Sequence, residues 1–216
     1  MKRRLSLLLV ACILFTLLPI SATAVPDDDL PPRFFVDVPE GHWAESYIMR
    51  AAVEEFIAPW PPMFHPYNRL TRAQAAQILL NITGLGLQPF PAEAPFPDVP
   101  AHAWYAPAIA WAREEGIVLG HADGTFAPGG PVTRQEFFVM LERLARWMGL
   151  DTSDPSPGVL WPFQDNDLIA RWAEDAVLWG TAVGLIRGYG GNVNPDGNII
   201  RAEAAVLAVR FADMFP

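Results

Sequence analysis

Three copies of one short pattern, laid end to end, restrict this chain to a repeat architecture. Phe35-x-Asp37, Phe96-x-Asp98 and Phe163-x-Asp165 align at spacings of 61 and 67 residues. A second anchor, Thr71-Arg72, Thr133-Arg134 and Ile200-Arg201, recurs at 62 and 67. Between the anchors come Trp43, Trp104 and Trp172, followed in the last two copies by Gly116 to Gly120 and Gly184 to Gly188.

Each unit reads as two helices joined by a loop. The first helix starts at the tryptophan, because Trp43, Tyr47 and Ala51 step at helical spacing, as do Trp104, Ala108 and Trp111, and Trp172, Ala176 and Trp179. That register puts the three leading tryptophans on the apolar stripe, and so in the core. The second helix opens at the arginine, with Ile78, Leu79 and Ile82, then Phe137, Leu141 and Leu144, then Leu207 and Phe211 supplying its apolar face. Thr71-x-x-Gln74 and Thr133-x-x-Glu136 read as capping boxes at its start. Asp123-Gly124 and Asn194-Pro195-Asp196-Gly197 read as tight turns with glycine at positive φ. A pair of short helices buries too little surface to fold alone, so the expectation is an all-α protein in which three helix-loop-helix units pack as one pseudo-three-fold body.

Residues 1–24 carry Lys2, Arg3 and Arg4, an apolar run and Ala22-Thr23-Ala24, the order of a secretory signal peptide. The apolar run is too short for a membrane span, and a lipid-attachment reading around Cys12 is the alternative. Cys12 is the single cysteine, so cleavage after Ala24 leaves no disulfide, thiolate metal site or cysteine nucleophile. Cleavage also takes the formal charge from −9, by three lost cations, to −12. An acidic chain without a basic cluster is a poor partner for nucleic acid or anionic lipid. The expected segments are then an acidic, proline-rich lead-in at 25–33 and the units 34–83, 96–150 and 161–213.

The order F-x-D-V, W-A, G-I-x-x-G, D-G-T-F-x-P, T-R-x-E resembles the S-layer homology (SLH) domain family, and the second unit carries nearly all of it between Phe96 and Leu141. The resemblance covers roughly residues 34–213. It implies three repeats with grooves between neighbours, and non-covalent attachment to secondary cell-wall polysaccharide, often pyruvylated, at the surface of the cell. It also implies that Arg72, Arg134 and Arg201, Asp37, Asp98 and Asp165, Trp43, Trp104 and Trp172, and Gly116, Gly120, Gly184 and Gly188 line those grooves. The first unit departs from the pattern, with Ala58 to Pro66 in place of the glycine loop, and the third has Ile200 for threonine. The groove served by the intact second unit is therefore the first expected to work.

Read for their chemistry, the arginines stand out. A cation at the first position of a helix opposes the macrodipole, so its recurrence points to a use beyond helix stability. A carboxylate placed there would meet exposed backbone N–H groups and a guanidinium fork; the alternative is an ion pair with an aspartate of a neighbouring unit. The aspartates could accept sugar hydroxyls or serve as turn residues. The tryptophans could stack on sugar faces, against the core reading above.

Three serines beyond the leader, none in a G-x-S-x-G setting, and four histidines without metal spacing speak against a serine hydrolase or a metal site, while a paired-carboxylate glycosidase stays as the minor alternative that only geometry could identify. The Asp-Gly loops lack the alternating acidic ligands of calcium loops. The expectation is a non-catalytic anchor with no cofactor and no metal. Its alternative is an adaptor that keeps the fold and binds another surface protein. Whatever is displayed is expected to be the chain itself or a bound partner, because Phe215-Pro216 follows directly on the last helix.

Overall fold

The computed structural model describes residues 35–58, 62–86, 88–153 and 163–215. The leader and the whole of the lead-in lie outside them. Among the described residues six α-helices carry the fold: α1 (Glu45–Val53), α2 (Arg72–Thr83), α3 (Ala106–Glu114), α4 (Arg134–Trp147), α5 (Glu174–Ala182) and α6 (Arg201–Ala212). Among the described residues extended pairing is limited to isolated bridges, so the fold is all-α.

The starts of α2 and α4 follow from local chemistry. Thr71 Oγ1 accepts from Gln74 N, and Gln74 Oε1 accepts from Thr71 N. Thr133 and Glu136 repeat this exchange. Ile200 has no hydroxyl, so α6 keeps only the returning half, Ile200 N donating to Glu203 Oε2 at 3.0 Å.

The helices of one unit do not pair with each other. Instead α2 packs on α3, α4 on α5, and α6 on α1, so the second helix of each unit lies against the first helix of the next and the ring closes. One contiguous core results, with Ile48, Leu79, Ile109, Leu141, Val177 and Phe211 among its buried side chains. Three residues sit where the pseudo-three-fold axis passes, each just ahead of a helix cap. Leu70 N donates to Ile199 O, Ile199 N to Val132 O and Val132 N to Leu70 O, at 2.9, 3.1 and 3.0 Å. This ring of hydrogen bonds satisfies three buried amides that no helix could.

The first helices begin later than the periodicity suggests. Ala44, Tyr105 and Ala173 are their N-caps, so the tryptophans precede the helix and escape its core stripe. The buried stripe of α1 is Ala44, Ile48, Ala51 and Ala52. Trp43, Trp104 and Trp172 are 56, 59 and 59 % exposed, which overturns the core reading, whereas Trp111 and Trp179, within helices, are buried. The extra residue between Asp165 and Trp172 is taken up around the 3-10 turns Asn166–Leu168 and Arg171–Ala173.

Positive φ falls partly elsewhere than expected. Gly116 and Gly184 leave α3 and α5 in the left-handed region, and in the first unit Glu55, φ 60°, does the same without being glycine. Gly124 takes positive φ, but in the third unit Asn194 does so rather than Gly197.

Candidate functional site

Each F-x-D aspartate holds a loop. Asp37 accepts from Phe64 N and His65 N, Asp98 from Phe126 N and Ala127 N, and Asp165 from Val193 N and Asn194 N, all at 2.6–2.9 Å. The second residue of each pair, His65, Ala127 or Asn194, is at positive φ, so the carboxylate stabilises a turn that costs a non-glycine residue strain. Burial works against ionisation of Asp37, yet the amides of Phe64 and His65 prevail and hold its carboxyl below the usual carboxylate range.

The loop thus pinned offers a carbonyl to the preceding unit's arginine. Arg72 Nε donates to Phe126 O at 2.7 Å, Arg134 Nε to Val193 O at 2.8 Å and Arg201 Nε to Phe64 O at 2.9 Å. Arg72 and Arg201 also lie over the rings of Phe126 and Phe64. Where Val193 replaces that phenylalanine, Arg134 finds Phe138 instead. The second nitrogen goes to a carboxylate in two cases, Arg72 to Glu136 Oε1 and Arg134 to Glu203 Oε1. The partner is thus a glutamate of the next unit, not an aspartate. At the third junction the matching residue is Gln74, and Arg201 donates to Ala58 O. Burial lowers the pKa of Arg72 and of Arg201, opposed by Glu136 and Asp98 in one case and by Asp37 in the other.

The helix N-termini are not open to an anion at their first two amides. Arg72 N and Ala73 N donate to Gly130 O and Pro128 O, Arg134 N and Gln135 N to Gly197 O and Pro195 O, and Arg201 N and Ala202 N to Asn68 O and Pro66 O. The expected exposed N–H groups are consumed in locking one unit to the next.

Two cavities remain beside these junctions. The first, about 620 Å³, is walled by all three units: Trp43 from the first, Arg134 and Phe138 from the second, and Leu185 to Tyr189, Glu203 and Arg210 from the third. The second, about 570 Å³, brings Trp104 and Gly129 together with Ala58, Gln74 and Asn81 and with Arg201. Among the residues picked out from sequence, Trp43, Arg134 and Gly188 thus share one cavity, and Trp104 and Arg201 share the other. Gly116, Gly120, Gly184, Trp172, Arg72 and the three aspartates line neither. Gly188 and Gly120 are fixed by close approach: a Cβ on either would stand 2.5–2.6 Å from the ring of Phe163 or Phe96.

The first cavity is the more cationic. Besides Arg134, whose charge Glu203 offsets, it holds the exposed Arg187 and the half-buried Arg210. Arg210 NH1 reaches Leu185 O at 3.4 Å, and its Nε is buried without a hydrogen-bond partner among the described residues. Sequence reasoning missed Arg187 and Arg210. The signal for Arg210 was present, since Arg143 and Arg210 each follow nine residues after the motif arginine, with Asn81 at the same place in the first unit.

The sequence profile of the S-layer homology domain matches residues 34–76, 95–138 and 162–205. Among similar proteins, cell surface glycoprotein 1 of Acetivibrio thermocellus is 29 % identical over 71 % of this chain and 7 % of its own length. The cellulosome-anchoring protein of the same organism is 30 % identical over 71 % of this chain and 34 % of its own. S-layer protein EA1 of Bacillus anthracis is 31 % identical over 80 % and 19 %. The chain therefore spans about a third or less of the length of these relatives.

Proposed function

Because the chain is a cell-surface member of the S-layer homology domain family, we propose that it is a non-catalytic anchoring module that binds anionic secondary cell-wall polysaccharide. The observation that carries this reading is the cavity where Trp43, Arg134, Arg187 and Arg210 converge from three units. A carboxylate such as a ketal-linked pyruvate gains charge-assisted hydrogen bonds from Arg187 and Arg210, and the half-exposed Trp43 gives the sugar ring a face to stack on. Arg134 is held by Glu203 and Val193 O, so it shapes the wall while the two other arginines bind.

Magnitudes support a shared task. A charge-assisted hydrogen bond contributes about 1.5–3 kcal/mol, and micromolar affinity needs about 8 kcal/mol. Two arginines, one stacking contact and engagement of a second groove along the same polymer reach that range. The aspartates and the glycines Gly120 and Gly188 act in this reading by holding the loops that form the groove. Gly116 and Gly184 act by letting the chain leave the first helix, and Arg72 acts by locking the first unit to the second through Phe126 O and Glu136.

The test is co-sedimentation with purified wall sacculi, before and after chemical removal of the secondary polymer. Wild type is expected to pellet only with untreated sacculi, and Arg187→Ala to pellet markedly less. Equal pelleting with treated sacculi would refute the polysaccharide as ligand. A wall-bound protein would then be the partner.

A further inference from the structure

Beside the cationic cavity stands a rim of three rings, where the second cavity has the pair Trp104 and Tyr105. His42 Nε2 lies 3.1 Å from Tyr67 OH. Its ring centroid is 5.6 Å from that of Trp43 and 5.5 Å from that of Tyr67. Ala44 N donates to His42 Nδ1 at 3.2 Å, so in the neutral ring the proton sits on Nε2 and is given to the Tyr67 oxygen. The tyrosine proton is left to face solvent. Trp43 and Tyr67 are 56 and 65 % exposed, and Trp43 is also a wall of the cavity. In the second and third units Tyr67 is replaced by Gly129 and Asp196, and His42 by Ala103 and Arg171. The cavity beside Trp104 is accordingly bordered by Gly129.

We infer that His42, Trp43 and Tyr67 form a second subsite, which takes an uncharged pyranose adjoining the acidic sugar held by Arg187 and Arg210. This rests on the proposed function and adds to it a preference for one groove and for a longer stretch of polymer. Amphipathic rings with a hydroxyl donor suit a sugar's C–H face and its hydroxyl edge. The hydrogen bond from His42 holds Tyr67 in place before the ligand arrives, so less freedom is lost on binding. No lysine or arginine belongs to the rim, which fits a neutral sugar ring.

Binding of the full chain to protease-treated sacculi tests this with Tyr67→Ala, Tyr67→Phe and Arg187→Ala. Tyr67→Ala is expected to weaken binding about threefold to tenfold, the range of one aromatic contact, with an unchanged melting temperature because the side chain is exposed. Tyr67→Phe keeps the ring and is expected to retain most of the affinity. If Tyr67→Ala binds like wild type while Arg187→Ala is weakened, the subsite is refuted and the polysaccharide reading stands. If wild type itself fails to bind, both fall.

Discussion

Arg72 NH1 donates to Glu136 Oε1 at 2.8 Å, while the other carboxylate oxygen of Glu136 accepts from the amide of its own helix cap, Thr133, also at 2.8 Å. One side chain thus closes its own helix and holds the arginine of the preceding unit. Glu203 does the same for Ile200 and Arg134. The T-R-x-E motif is therefore an interlock between units, and the arginines at the unfavourable ends of α2 and α4 are explained by their glutamate partners in the next unit.

Glu136→Gln tests the interlock. Arg72 is buried and would keep a neutral acceptor in place of a carboxylate. The expected loss of stability is about 1–3 kcal/mol, read as a lower melting temperature. The reverse change, Gln74→Glu, brings a carboxylate toward Arg201 and is expected to leave stability equal or higher.

Acid sensitivity follows from Asp37. Its folded-state pKa is depressed, so the stability it contributes is fully present above its ordinary value near 3.8. That contribution is lost as pH falls through the lower folded value. Asp37→Asn is expected to melt lower than wild type at neutral pH and to lose less on acidification. Melting curves from pH 7 to pH 2 check this; parallel curves would contradict it.

The glycines of the loop are not equivalent. A methyl on Gly120 would meet the Phe96 ring and Thr125 O at 2.6 and 2.7 Å, whereas one on Gly116 meets nothing within 4 Å. Both are at positive φ, so Gly116→Ala is expected to cost about 1 kcal/mol and Gly120→Ala clearly more. Chemical denaturation of the two variants gives the comparison.

Helix capping gives a third measure of local chemistry. Thr133→Ala removes the oxygen that accepts from Glu136 N, with an expected cost of about 1 kcal/mol. Thr133→Ser is expected to restore most of it. At position 200, where isoleucine offers no acceptor, substitution by alanine should register only lost packing.

Much of this was legible in the chain because it is local. Helix caps, apolar periodicity and turn residues act over three or four positions, so the repeats, the second helices and the capping boxes could be read from residue order. The tryptophans were misassigned because a periodic pattern does not reveal that the helix starts two residues after them. Arg187 and Arg210 were missed because their roles depend on which cavity wall they reach.

The sequence by itself determined that three helical units would form and where their anchoring residues lie. Only the tertiary structure decided that Arg72 meets Glu136, that the cavity of Arg134 borrows Trp43 from the opposite end of the chain, and that Leu70, Val132 and Ile199 share one ring of hydrogen bonds. These partners are separated by tens of residues or more. Local propensity carries no signal for them, and they are chosen when three apolar faces close on one another and leave each unit's polar ends to be satisfied by the next.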